Sequence, residues 1–475
     1  MAESRIELKE WMPDQPGLSG ALTEAKNIIP MAIGYGPFSS EVDLSANASQ
    51  NLLTVFSGKF SGVTTLFAAG ATKLYKFNSG TTAMDDVSRT ASAYTSTDRW
   101  SFTQFGKVVI AANGADKLQG WTIGSSANFA DLAAAAPTAS YVTVVRDFVV
   151  SARTSANPNR VQWSDINDET DWTSGPTSQS DYQDIPDGGD IQGITGGEFG
   201  LVFLERSVVR MSYVGSPLFF QFDTISRNKG CYEPKSVVQY GPTSYFLADD
   251  GFYACDGQNV LPIGTEKVDR YFFRTANPNL LNEMSAAIDP INSLVIWSYT
   301  NTFGGKSLLV YNWQIKRWTR AETSATYIAT AASATITLEG LDAYGNMDTL
   351  TTSLDSRLWA GGKVLLAGVD GAKIVTFTGQ PMAGYIETGD FQAGPSSMVN
   401  LARPQIDNGS ASVAVFSRQR LDTEVIFGAA TDASSENRVS LRSVGCYHRL
   451  KVIPSGGQWK HLVAVDVSTT PAGAR

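Results

Sequence analysis

The sequence predicts an all-β protein: a β-propeller-like body of repeated hairpins, with six or seven blades, followed by a small C-terminal β-sandwich-like domain. One observation is a recurring phrase in which an alternating apolar run, a polar turn and a second run end near an aromatic residue. It occurs at Thr64 to Phe77, Lys107 to Trp121, Asp147 to Trp163, Phe199 to Tyr213, Thr243 to Gly257, Asn292 to Trp313 and Arg357 to Phe377. A second is the spacing of the starts, roughly 40 to 65 residues, which is the period of a propeller blade. A third is the physics of the unit, because a lone hairpin cannot bury its apolar face and must stack on its neighbours.

Residues 1 to 60 read as an N-terminal arm packed on the body. Turn chemistry punctuates MPDQPGLSG and GYGPFSS, and a short helix is expected near Leu22 to Asn27. From 61 to 380 hairpins follow one another, with period-two alternation in LVFLERSVVRMSY and LLVYNWQIKRWTR. The main helical candidate is Ala276 to Asp289, with Asn279 as its N-cap. Thr326 to Asn346 is expected to add strands to the last blade. From 381 to 475 the strands shorten and basic residues increase, and a small sandwich is expected.

Apolar residues make up 43% and charged residues 17%, the profile of a globular protein with ample core. The net charge of −9 opposes wrapping of duplex DNA, which needs a basic face. Cys231, Cys255 and Cys446 write neither a disulfide framework nor a CxxC metal site, and inert thiols in a reducing cytosol are expected. MAESRIELKEW lacks the apolar core of a secretion signal, and no apolar run reaches the roughly 18 residues of a membrane span.

Catalytic patterns are missing. The two histidines, His448 and His461, stand in no metal-ligand spacing, and no GxSxG elbow or phosphate-binding glycine loop occurs. His448 reads as a strand residue with a satisfied imidazole. No catalytic residue, metal or cofactor is therefore expected.

Two charged segments stand out. Ser164 to Asp190 carries Asp165, Asp168, Glu169, Asp171, Asp181, Asp184, Asp187 and Asp190 with no Lys or Arg. Mutual repulsion favours an extended loop or a bound cation, although the EF-hand Gly and terminal Glu are lacking. A sialidase Asp-box is not matched, and Trp172 is expected to pin the connector onto its blade. In the C-terminal part Arg438, Arg442, Arg449, Lys451 and Lys460 lie close in sequence, either as a solvated face or as a docking patch; the first four form the candidate interface patch.

Several phrases resemble the tail hub, or nozzle, proteins of short-tailed bacteriophages. They include ELKEWMPDQPGLSGALTEAKNIIPMAIGYGPFSS, DRWSFTQFGKVVIAANGADKLQGW, RVQWSDINDETDWTSG and YFLADDGFYACDGQNVLPIGTEKVDRYFF, then AAIDPINSLVIWSY, YNWQIKRW and VGCYHRLKVIPSGGQWKH. They run in order from Glu7 to His461. The resemblance implies a virion tail protein made in the host cytoplasm, with six copies in a ring beneath adaptor proteins. The ring holds fibres or spikes and passes genome DNA without specific binding. No active-site residues come with the family. On this reading the acidic loop faces the channel or an adjacent subunit, and carboxylates on an outer rim far from the axis would remove that expectation. The competing expectation is a carbohydrate-binding or carbohydrate-cleaving propeller at the host surface, since exposed aromatics and carboxylates also suit sugars.

Overall fold

A computed structural model describes residues 2–97, 99–336, 339–344, 354, 356, 358–359, 361–457 and 459–473. Six four-stranded antiparallel sheets, and a seventh four-stranded antiparallel unit that forms one end of a nine-stranded sheet, follow one another along the chain. Blade 1 comprises Leu52–Phe60, Val63–Gly70, Leu74–Phe77 and Met84–Asp86, and blade 2 comprises Ser101–Phe105, Val108–Ala112, Gln119–Thr122 and Ala130–Asp131. Blade 3 is built from Ala139–Val145, Phe148–Thr154, Arg160–Trp163 and Asp181–Asp184. Blade 4 uses Ile191–Thr195, Gly200–Leu204, Val208–Gly215 and Phe219–Ser226. Blade 5 uses Val238–Tyr240, Thr243–Leu247, Phe252–Cys255 and Val260–Pro262.

Blade 6 runs through Ser285–Asp289, Leu294–Thr300, Lys306–Asn312 and Arg317–Glu322. Blade 7 takes Tyr327–Ala332, Val364–Asp370 and Lys373–Thr376 from its own stretch and Val42–Asp43 from near the N-terminus. Closure is therefore made by chain segments some 330 residues apart, with Val42 opposite Thr376 and Asp43 opposite Val375. The ring is completed where the first strand of blade 7 packs on that of blade 1, and Ser57 Oγ there accepts from the Ala332 N–H at 2.9 Å.

The seven sequence phrases are the second and third strands of the seven blades. Arg357, where the last phrase begins, lies outside the described residues, as do several positions between Thr326 and Asn346. Second strands have neighbouring blades on both faces, so they read as unbroken apolar runs. Val108–Ala112, Gly200–Leu204 and Leu294–Thr300 are buried at every position. First strands line the axis and are half-buried, as throughout Ser101–Phe105. Turns between first and second strands are tight. In blade 1, Ser61 and Gly62 take φ of 48° and 82° between the paired Phe60 and Val63, the backbone that a two-residue hairpin needs.

The sandwich is built from both ends of the chain. One sheet holds Ala2–Glu7, Ile28–Pro30, Tyr35–Pro37, His461–Pro471, Ser397–Asp407 and Val439–Gly445. The other holds Glu24–Lys26, Tyr385–Glu387, Tyr447–Ser455, Ser410–Arg418 and Thr431–Asp432, and it continues blade 6 into one nine-stranded sheet. The weld is the parallel pairing of Lys26 with Arg320. A single core runs from Trp297 and Trp318 of blade 6, through Trp11, Leu22 and Tyr35, to Leu450, Val452 and Val467 of the sandwich.

Several expectations change. The first 60 residues are not a separate arm: they supply four sandwich strands, the closing strand of blade 7 and, in Leu52–Phe60, the first strand of blade 1. Leu22 to Asn27 holds a strand, Glu24–Lys26, because pairing on both edges overrides local helix propensity. In the span Ala276 to Asp289, Pro278–Glu283 is a 3-10 helix capped by Asn277, whose side chain accepts from the Asn279 N–H at 3.1 Å. Strand Ser285–Asp289 follows directly. Among the described residues the one α-helix is Asp269–Thr275.

Candidate functional site

The acidic segment sits at the outer edge of blade 3. Asp181–Asp184 is the fourth, outermost strand, and 165–180 form the connector leading to it. The carboxylates are more compensated than their sequence shows. Arg160, on the adjoining strand, donates to both oxygens of Asp184 at 2.7 and 2.9 Å and holds that carboxyl below its usual range. Its guanidinium also lies 3.8 Å from the centroid of the Tyr182 ring. Arg153 pairs with Asp190 at 3.3 Å.

Others are absorbed by the backbone. Asp165 accepts from the Gln179 N–H at 2.7 Å and Asp171 from the Thr173 N–H at 2.9 Å. Asp168 accepts from both the Thr170 hydroxyl and its N–H, which lowers its pKa. Trp172 is buried against Val142 and Val149, and its indole N–H donates to the Glu169 carbonyl at 2.8 Å, so it fastens the loop to the blade as expected. Asp181 accepts from the Ser174 hydroxyl at 3.4 Å, and Glu169 and Asp187 complete the segment. Among the described residues no group of three or more His, Cys, Asp or Glu side chains is placed to hold a metal ion.

None of these eight carboxylates lines the cavity on the propeller axis. That cavity, of about 310 Å³, is walled by first-strand residues such as Val55, Phe102, Val238 and Ala329, with Arg99 and Lys235 beside them. Arg99 donates to the Tyr141 hydroxyl, and Lys235 lies 5.2 Å from the Tyr327 ring centroid. The acidic loop thus lies on the outer edge of the ring of hairpins, away from the cavity on that ring's own axis.

The basic cluster is divided by topology. Arg449 and Lys451 lie on Tyr447–Ser455 in one sheet, whereas Arg442 lies on Val439–Gly445 in the other, with Arg438 just before it. Arg449 and Arg418 share one oxygen of Asp390, at 2.8 and 2.6 Å, and the Asp390 side chain is only 1% exposed. Lys451 pairs with Glu387 at 3.1 Å and sits 3.7 Å from the Tyr385 ring centroid. Those two cations hold the sandwich together and are not a free patch. Arg438 and Arg442 are exposed, the former 3.4 Å from Glu436.

His448 is fully buried, with Nε2 2.7 Å from Ser397 Oγ and Nδ1 2.6 Å from Ser417 Oγ, the satisfied imidazole that its strand context predicts. Burial pushes its pKa down. The cysteines are free thiols, and burial pushes that of Cys231 up to about 12. The axial wall escaped sequence reading because half-buried first strands carry no clean alternation; in DRWSFTQF the one signal is Trp100 and Phe102, two positions apart, with Phe105 out of step.

The strand pairing defines the protein as a seven-bladed β-propeller fused to a β-sandwich. No family model matches the chain, and no curated protein matches it. Among solved structures it is similar to the WD40 repeats of RRP9, at 10% identity and a TM-score of 0.39, over 62% of this chain and 88% of that one. Among the described residues no helix is long and apolar enough to cross a membrane.

Proposed function

We propose that the chain is a structural, non-enzymatic subunit of a bacteriophage tail, a hub or nozzle protein. By its sequence resemblance, six copies ring the tail axis below adaptor proteins, carry fibres or spikes on the outside and pass genome DNA through the centre. Its place is the tail of the virion.

The ordered sequence resemblance from Glu7 to His461 carries this reading, and the core shared by propeller and sandwich supports it by joining the two lobes into one body. A cyclic ring needs heterologous contacts, so each subunit must meet its neighbour with two different surfaces. The outer edge of blade 3, with exposed Tyr182 and Asp187, supplies an acidic surface. The exposed Arg438 and Arg442 at the sandwich edge supply a basic one. Such pairing would act chiefly on encounter rate and register. A conduit also gains from few phosphate contacts, since each one adds a salt-dependent trap along the path.

Electron microscopy of the purified protein and of virions is the test. Closed rings on the tail axis are expected. A stable monomer absent from particles would overturn the reading, and shortening of host polysaccharide by the purified protein would favour the carbohydrate-cleaving alternative.

A further inference from the structure

We propose that the cleft between blades 1 and 2 is a binding site for a small organic anion with a ring-sized apolar body. The cleft has a volume of about 810 Å³, within the span of roughly 300–1,000 Å³ typical of ligand pockets. Its apolar surface comes from Phe60 and Val63, on either side of the Ser61–Gly62 turn, and from Trp121 and Ile123 of blade 2. Phe60 and Val63 are 42% and 54% exposed, so apolar surface stands open to solvent at the mouth.

Its charge is of one sign. Lys76 and Lys107 line the cleft and no carboxylate does, in a chain whose net charge is −9. Lys76 faces Asp85 across the strand pair, but Asp85 takes a hydrogen bond from Asn78 at 3.2 Å, and the neighbouring Asp86 is paired with Lys73 at 2.8 Å. Lys76 Nζ instead lies 5.9 Å from the Trp121 ring centroid. Trp121 is 5% exposed and its indole N–H meets no acceptor among the described residues. Two ammonium groups beside an apolar wall fit an oxyanion joined to a ring. The anion gains charge-assisted hydrogen bonds while the ring covers surface now facing water.

The test is calorimetric titration of the full chain with 2-naphthoate, its neutral isostere 2-naphthalenemethanol, and an acetylated Trp-Glu peptide amide. One naphthoate site is expected, with the neutral compound at least about tenfold weaker. Lys76→Gln and Lys107→Gln together should remove that discrimination while leaving the melting temperature unchanged, because neither lysine makes an ion pair among the described residues. Absence of naphthoate binding, equal binding of the neutral compound, or full discrimination in the double variant would each overturn the site. Tighter binding of the peptide than of naphthoate would make the cleft a protein-docking groove and overturn the small-ligand assignment.

Discussion

Glu24 and Arg320 bind the two lobes together. Both carboxylate oxygens of Glu24 accept from the Arg320 guanidinium, at 2.7 and 3.0 Å, on the two strands where sandwich meets blade 6. Both side chains are largely buried, 19% and 15% exposed. Burial works against the guanidinium charge, and the Glu24 carboxylate outweighs it, holding the Arg320 pKa above its ordinary value. Removing one partner leaves the other charge poorly solvated, so Glu24→Gln should cost about 2–3 kcal/mol. Arg320→Lys should also destabilise, because an ammonium cannot reproduce the two-pronged geometry. Urea unfolding measures this, and a change below about 0.5 kcal/mol would place the weld elsewhere.

Asp269 opens helix Asp269–Thr275 and is buried in a cradle of glycines, where a Cβ on Gly264 would come within 2.0 Å of its Oδ1. Burial raises its pKa to about 6, although the carboxylate accepts from the Phe252 N–H at 3.1 Å. An unfolded Asp titrates near 3.9, so between about pH 4 and 6 the folded chain keeps a proton that the unfolded chain has lost. Stability from this group is complete below about pH 4 and is lost as pH rises through 6. Asp269→Asn should therefore gain on the order of 1–2 kcal/mol at pH 7.5 and flatten that window. Urea midpoints at pH 4.5 and 7.5 check it, and an equal loss at both would refute the assignment.

His448 has the opposite sign. Its pKa is lowered by burial between Ser397 and Ser417, so below the unfolded value of about 6.5 the unfolded chain takes up a proton first. Stability should fall as pH drops below about 6.5, by at most about 1.4 kcal/mol per pH unit. Measured in Asp269→Asn, where the opposing titration is gone, the slope should appear in urea midpoints between pH 6.5 and 5. It should vanish on adding His448→Gln, whose amide has no proton to gain. A slope that survives that change belongs to other groups.

Much of this architecture was legible, for a physical reason. Second and third strands carry strong patterns because blades cover them on both faces, and all seven phrases fall on them. The first strands are divided between core and axial cavity, and fourth strands such as Met84–Asp86, Ala130–Asp131 and Val260–Pro262 are short and largely exposed, so they form little pattern. Nothing local marks Val42–Asp43 as the closing strand of blade 7, since two residues opposite Val375 and Thr376 gain their meaning only from the ring. The sites behaved alike. Trp172 declared its role by being a lone large aromatic in a polar loop, whereas Arg449 and Arg442, seven positions apart, lie on different sheets.

That separation decides which basic residues can report on assembly. Arg449→Glu would set a second carboxylate against Asp390, whose side chain is 1% exposed, and would leave Arg418 alone to balance both. Breaking a buried pair in this way should cost about 3–5 kcal/mol, and the sandwich, together with its weld to blade 6, should loosen. Loss of rings in that variant would therefore say nothing about contacts between subunits. Arg438→Glu with Arg442→Glu changes the same charge on exposed side chains and should shift stability by no more than about 0.5 kcal/mol. If the sandwich edge meets the acidic edge of a neighbour, this double variant should keep its melting temperature yet slow ring formation, most at low salt, as light scattering follows it. Unchanged assembly kinetics at low salt, with the fold intact, would remove that edge from the contact.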